Sequence, residues 1–224
     1  MMPLAILIAA VLGYLFGSLN FSIPVVNLCL GKDIRTLGSK NAGLTNTLRC
    51  AGKKCALMTL AGDLLKGVIA VALARIICGS LNAGLTPDND THYIGYIAGF
   101  FAIIGHVFPL YFNFKGGKGV LVGVASFLIV DPKVFCVLLG VFILVLALTK
   151  YVSAASITGA ACCPAATLFL SWLADGQGFG RSLMYMLLSL PMALMVIYMH
   201  RTNIERLKSG TENRFSFKNS GTAK

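Results

Sequence analysis

The sequence predicts an all-α integral membrane protein, a polytopic bundle of about seven transmembrane helices, and three observations carry that prediction. Of the 224 residues, 57% are hydrophobic and only 12% are charged, against roughly a quarter charged in soluble chains. The mean hydropathy is +0.80. The apolar residues also fall into stretches close to the ~20 residues that cross the hydrocarbon layer, with short polar segments between them.

The spans follow in order. The first, Leu4 to Asn27, starts in MMPLAILIAAVLGYLF without a basic leader and outruns a signal-peptide core, so it is expected to be retained. The second covers Cys55 to Cys78 and the third Ile94 to Phe112. The fourth, Val120 to Val130, is too short to cross at 1.5 Å per residue unless it begins inside the membrane, which would sink the preceding KGGKG into a protein pocket. With the fifth, Val134 to Thr149, it could instead form a re-entrant hairpin. The sixth runs from Ser153 to Leu173 and the last from Leu183 to Met199. The whole chain, 1–224, reads as one membrane-embedded domain.

Sidedness follows from the basic residues. Fifteen lie in the first, third and fifth connections and the C-terminal tail, against Arg75, Lys133 and Arg181 on the other side. The positive-inside rule then places the N-terminus outside and the C-terminus in the cytoplasm. GSKNAGLT at 38–45 returns as GSLNAGLT at 79–86, but the copies fall on opposite faces, so they read as two similar turns and not as a duplicated half. Seven cysteines form no CxxC pair, and eight acidic residues and three histidines are scattered, so no metal and no cofactor are expected. The net charge of +11 sits between apolar spans without interleaved aromatics, which points to lipid headgroups or a small anion and away from nucleic acid.

Four polar clusters interrupt the apolar chain. In FNFKGGKGV, 112–120, glycines would let backbone N–H groups turn toward an anion and Lys115 and Lys118 would supply charge; the spacing is not that of a P-loop. GSKNAGLTNTLR offers Ser39, Asn41, Asn46 and Arg49 as phosphate donors, although a plain connecting loop would explain the same residues. In HRTNIERLKSGTENR, His200, Asn203 and Arg206 step by three along one helix face, whereas His200 and Glu205 would diverge by about 140° and form no dyad. His106 is expected about 13 Å from Lys115 on an unbroken helix. Asp63 and Lys66 in GDLLKG are an i, i+3 pair inside the second span, read as structural.

Together GSKNAGLTNTLR, GDLLKG, GHVFPLYFNFKGGKG and HRTNIERLKSGTE closely resemble the PlsY-type glycerol-3-phosphate acyltransferases of bacterial membranes, over essentially the whole chain. The resemblance implies a seven-helix enzyme that moves a fatty acyl group from acyl phosphate to the 1-hydroxyl of glycerol 3-phosphate, releasing lysophosphatidic acid and phosphate. It implies a multi-pass protein of the bacterial cytoplasmic (inner) membrane with its site facing the cytosol. Its partners would be those two substrates and membrane lipids, with no obligatory protein partner. On this reading Ser39, Arg49, Lys118, His200 and Asn203 are the catalytic set, and Asn41, Asn46, Lys115, Gly116 and Gly117 the substrate-binding set, with Asn41 and Asn46 orienting either the loop or the glycerol hydroxyls. Lys40 stands where the family motif usually has Gly, Asn20 departs from a GSIP-like turn, and Leu121 and Val122 replace smaller or hydroxyl residues. The rival reading is an organic-phosphate transporter, which would need polar groups near the midplane and a repeat relating two halves.

Overall fold

The computed structural model describes residues 2–81 and 91–215. The continuation of the second GSLNAGLT turn beyond residue 81, and Lys218 and Lys224 of the tail, lie outside the described residues. Among the described residues nine α-helices follow one another: α1 (Met2–Gly17), α2 (Ser22–Leu30), α3 (Leu44–Ser80), α4 (His92–Val107), α5 (Val120–Val130), α6 (Pro132–Thr149), α7 (Val152–Phe169), α8 (Phe179–Met199) and α9 (Arg201–Lys208). Six stretches among the described residues are long and apolar enough to span a bilayer, the first combining α1 and α2 and the sixth being α8, while α5 is a shorter apolar helix. At 11 residues, α5 is only about 16 Å long, half the hydrocarbon thickness.

The burial pattern is that of a membrane protein. Leu7, Leu28, Leu57, Leu65, Ile143, Leu144, Leu148 and Leu194 point outward, while Ser18, Asn20, Asp63, Lys66, His106 and Asn203 are buried. Lipid tails are as apolar as leucine, so hydrophobicity does not drive helix against helix and close van der Waals fit must. Along α1 and α4 that fit is made by glycine. A Cβ at Gly13 or Gly17 would overlap the carbonyl oxygens of Ala98 or Ala102, and one at Gly105 would overlap that of Tyr14.

Three spans depart from the sequence expectation. The expected first span is broken between Gly17 and Ser22. Ser18 Oγ bonds back to the Tyr14 carbonyl, the buried Asn20 amide donates to Ala42 O at 3.3 Å, and Ser22 Oγ donates to Asn20 Oδ1 at 2.7 Å. The freed backbone groups are met from α3: Lys66 Nζ donates to Leu19 O at 2.9 Å and Phe21 N donates to Asp63 Oδ1 at 3.4 Å. The second span begins eleven residues earlier than expected, so Arg49, Lys53 and Lys54 ride on α3 and not in a loop; Gly52, with φ 79 and ψ −178, marks a kink within it. The last helix pauses at His200, which caps α8 and starts α9.

The α1–α4 contact makes a direct test. Gly17→Val should sharply lower the yield and melting temperature of detergent-purified protein, because no side chain there can move the Ala102 backbone aside. Gly180→Val, where nothing lies within 4 Å of the new Cβ, should leave both close to the parent's.

Candidate active site

The site is assembled from three loops and two helix beginnings. Both α3 and α5 start at a glycine, Gly43 and Gly119, with no side-chain cap hydrogen bond. Their first-turn N–H groups, which have no carbonyl partner within the helix, therefore remain for a ligand, and both helix starts line one cavity of about 690 Å³. A helix N-terminus carries partial positive charge and favours an anion. The cavity also draws in Lys40, Arg49, Lys118, Arg201, Arg206 and Arg214 against two carboxylates, Asp63 and Glu212.

The glycines of KGGKG do not do what their spacing suggests. Gly116 N donates to Val107 O at 3.0 Å and Gly117 N to His106 O at 3.1 Å, so both amides close the end of α4 and neither is free for an anion. The chain turns at Leu110–Phe112 and folds back, which replaces the expected unbroken helix between His106 and Lys115. Glycine is required by closeness: a Cβ at Gly116 would overlap His106 O, and one at Gly117 would overlap both His106 Nε2 and Ala42 O. Arg35, gripped by Asp33, donates to Phe112 O at 2.6 Å and to Lys115 O at 3.3 Å, stitching the α2–α3 loop to this one. The Arg35 hydrogen bond holds the Asp33 carboxyl below its usual range.

Of the residues expected to bind, Ser39, Asn41, Arg49, Gly116, Gly117, Lys118, His200 and Asn203 line the cavity. Lys115 does not: its side chain is exposed and its carbonyl is held by Arg35. Asn46 lines the cavity wall but is a latch. Its Oδ1 accepts from Ser39 N and its Nδ2 reaches Ile34 O, Leu37 O and Asn41 O, so it has no hydrogen bond left to offer. Arg49 makes no hydrogen bond or ion pair among the described residues. Lys40 adopts φ 57, the left-handed conformation a glycine takes freely, so the loop keeps its shape at a cost of about 1–2 kcal/mol.

Glu212, quoted within the last motif but assigned no role from sequence, proves central. It accepts from Asn203 Nδ2 at 2.7 Å, Ser153 Oγ at 2.9 Å and Arg206 Nε at 2.7 Å. Burial raises its pKa, but the hydrogen bonds from Arg206, Asn203 and Ser153 outweigh burial and hold it below the usual range. Asn203, its amide turned to Glu212, presents Oδ1 to Lys118 Nζ. The signal was present in the sequence as a carboxylate nine residues beyond Asn203; what was missing was the turn at Ser209–Gly210 that brings it back.

Burial, and then Arg206 nearby, lower the Lys118 pKa to about 8. Burial also lowers that of His200 to about 4. Its Nδ1 lies 2.7 Å from Val196 O; a carbonyl only accepts, so Nδ1 carries the proton and Nε2 the lone pair. Beyond the cations the cavity turns apolar, walled by Phe127, Leu138, Phe142, Met192 and Val196 and by the small residues Ala155, Gly159, Ala160 and Cys163 of α7.

A cavity that joins a cation-lined end to an apolar trough within a membrane bundle is the frame in which the comparisons with known proteins fall. The profile of the family described as Glycerol-3-phosphate acyltransferase matches residues 7–210. A glycerol-3-phosphate acyltransferase of Clostridioides difficile is 40% identical over 212 residues, covering 95% of this chain and 96% of that one. One of Chlorobaculum parvum is 40% identical over 217 residues, covering 91% and 94%. The crystal structure of PlsY, an integral membrane glycerol 3-phosphate acyltransferase in its glycerol 3-phosphate form, superposes with a TM-score of 0.77 at 32% identity, covering 94% of this chain and 96% of that one. The chain belongs to the glycerol-3-phosphate acyltransferase family, and it is an acyltransferase.

Two outcomes test the site. Gly117→Ala should fold but lose more than about ten-fold in activity, since its methyl displaces the loop from His106 and Ala42; Gly180→Ala should not change the rate. Glycerol 3-phosphate, a phosphate monoester, followed by calorimetry, should bind best from about pH 6, where it becomes a dianion, up to about pH 8, and more weakly above that as Lys118 loses its proton. Affinity that is flat from pH 7 to pH 10 would remove Lys118 from the site.

Proposed function

We propose that this acyltransferase moves a fatty acyl group from acyl phosphate to the 1-hydroxyl of glycerol 3-phosphate, yielding lysophosphatidic acid and phosphate, at the cytosolic face of the bacterial cytoplasmic membrane. The observation that carries the proposal is the single cavity whose one end gathers cations and two helix beginnings and whose other end is an apolar trough. Glycerol 3-phosphate is a phosphate with no apolar part and suits the first; the acyl chain suits the second, with its own phosphate at the junction. The PlsY relative solved in glycerol 3-phosphate and lysophosphatidic acid forms supports the same pair of molecules.

In this reading Arg49 and Lys118 neutralise the glycerol 3-phosphate phosphate, Ser39 donates from the rim, and Asn203, steered by Glu212, fixes Lys118. His200 brings a lone pair at Nε2 when neutral; a dianion beside it draws a proton onto the ring and converts that lone pair into a donor. Asn41 is the asparagine of the loop left for the glycerol hydroxyls. The hydroxyl oxygen attacks the acyl carbonyl carbon, the bond from that carbon to the phosphate oxygen breaks, and the hydroxyl proton passes to the departing phosphate. Phosphate is a good leaving group, so the chain's task is to hold two anions together and in line.

The donor is tested directly. Purified protein with glycerol 3-phosphate should turn over with acyl phosphate, and not with acyl-CoA or acyl-carrier protein alone. Cys163, the one cysteine lining the cavity, sits about three helical turns beyond Val152 and away from the cations, so Cys163→Ala should retain the activity. Efficient turnover with acyl-CoA, or a folded but inactive Cys163→Ala, would overturn this mechanism; uptake of glycerol 3-phosphate by sealed vesicles without acylation would instead favour transport.

A further inference from the structure

Asp63, Lys66 and His106 form a buried cluster on α3 and α4 that the chemistry above does not use. Lys66 Nζ lies 2.9 Å from Asp63 Oδ1, 2.9 Å from Leu19 O and 2.8 Å from His106 Nδ1. Asp63 Oδ1 lies 3.8 Å from His106 Nδ1. An ammonium has three N–H groups and no lone pair, and here it has three acceptors. With Lys66 charged against Asp63, Nδ1 of His106 must therefore accept, and the ring proton resides on Nε2. The residue is 4% exposed and lines the cavity; its side-chain hydrogen bond is made at Nδ1, and Nε2 makes none among the described residues. A Cβ on Gly117 would overlap this nitrogen, so Nε2 abuts the loop that carries Lys118.

We propose that His106 is a substrate-binding residue, donating from Nε2–H to the bound glycerol 3-phosphate, and that Asp63 and Lys66 are positioning residues that hold its ring in that tautomer. A neutral donor complements the charges of Arg49 and Lys118, because it keeps its proton and its direction at every pH at which the ion pair is intact. It also is the opposite of His200, whose backbone bond leaves a lone pair in the same cavity. The cluster thereby couples the break between α1 and α2, which Lys66 and Asp63 hold, to the substrate.

This inference rests on glycerol 3-phosphate occupying the cavity, and that is measured first, by calorimetry on the parent protein. Absence of binding removes the proposed function itself; binding allows the His106 test. In protein carrying [15N]histidine, His106 should show an acceptor Nδ1 and a protonated Nε2, distinct from the reverse pattern of His200, and saturating glycerol 3-phosphate should shift the Nε2–H resonance. Two variants then separate binding from architecture. His106→Asn places an acceptor near the Nδ1 position but has no donor at Nε2, and should raise KM for glycerol 3-phosphate about ten-fold or more. His106→Gln reaches the Nε2 position while losing the Lys66 contact, and should melt earlier yet keep KM nearer the parent's. A purely architectural histidine gives the reverse order. That reverse order, or an Nε2 resonance unmoved in protein that binds the substrate, would overturn the proposal; should His106→Asn fail to fold, the spectrum of the parent protein decides.

Discussion

Inside a bilayer, a backbone group that leaves the helical ladder has no water to turn to and must find its partner within the protein. Much of this structure follows from that constraint. The helices are interrupted after Gly17, after Val107 and at His200, and the second and third of these interruptions lie against the cavity. Each interruption is met by a specific answer. An ammonium and a carboxylate from α3 serve the first, glycine amides and an arginine serve the second, and the third is eased by a ring nitrogen bonded to Val196 O. Several of the groups that make a kinked backbone tolerable in lipid, Asp63, Gly116, Gly117 and His200, thus also line the cavity.

Charge is distributed with matching economy. Of the two carboxylates in the cavity wall, Asp63 is engaged by Lys66 and Glu212 by Arg206, so neither opposes an incoming anion freely. Burying an ion pair in lipid costs desolvation that the pair itself only partly returns. The buried Asp63–Lys66 pair has further hydrogen bonds from Phe21 N and to Leu19 O, and Glu212 of the more exposed second pair accepts also from Asn203 and Ser153. Glu212 in particular converts three separate elements, the start of α7, α9 and the tail, into one wall.

Hydropathy made the spans legible, since twenty apolar residues have few other fates, and it singled out α5 as too short. The chemistry of the residue types led to the expectation that Arg49, Lys118, His200 and Asn203 belong together, and all four line one cavity. What sequence could not show depends on meetings between distant segments. Spacing along one helix kept His106 far from KGGKG, while the turn at Leu110–Phe112 folds that loop onto it. Gly116 and Gly117 looked like anion-binding amides because glycine's freedom and glycine's smallness leave the same letter in a sequence. For Asn46 the sequence left two roles open, orienting the loop or the glycerol hydroxyls, and its four hydrogen bonds to its own loop, visible only once the loop is closed, decide for the first. Asp63 and Lys66 read as a local pair, and only the packing of α3 against α4 adds the histidine.

Lys40 has a consequence for kinetics. Its backbone takes a conformation suited to glycine, and in return the chain carries an exposed ammonium at the cavity rim. Such a charge lies too far out in water to hold a ligand firmly, being screened over about 8 Å at physiological salt. Within that distance it still raises the local concentration of anions and steers their approach. The residue therefore acts on encounter and not on residence: it exchanges a small amount of loop stability for faster capture from dilute solution, an advantage that fades as ionic strength rises.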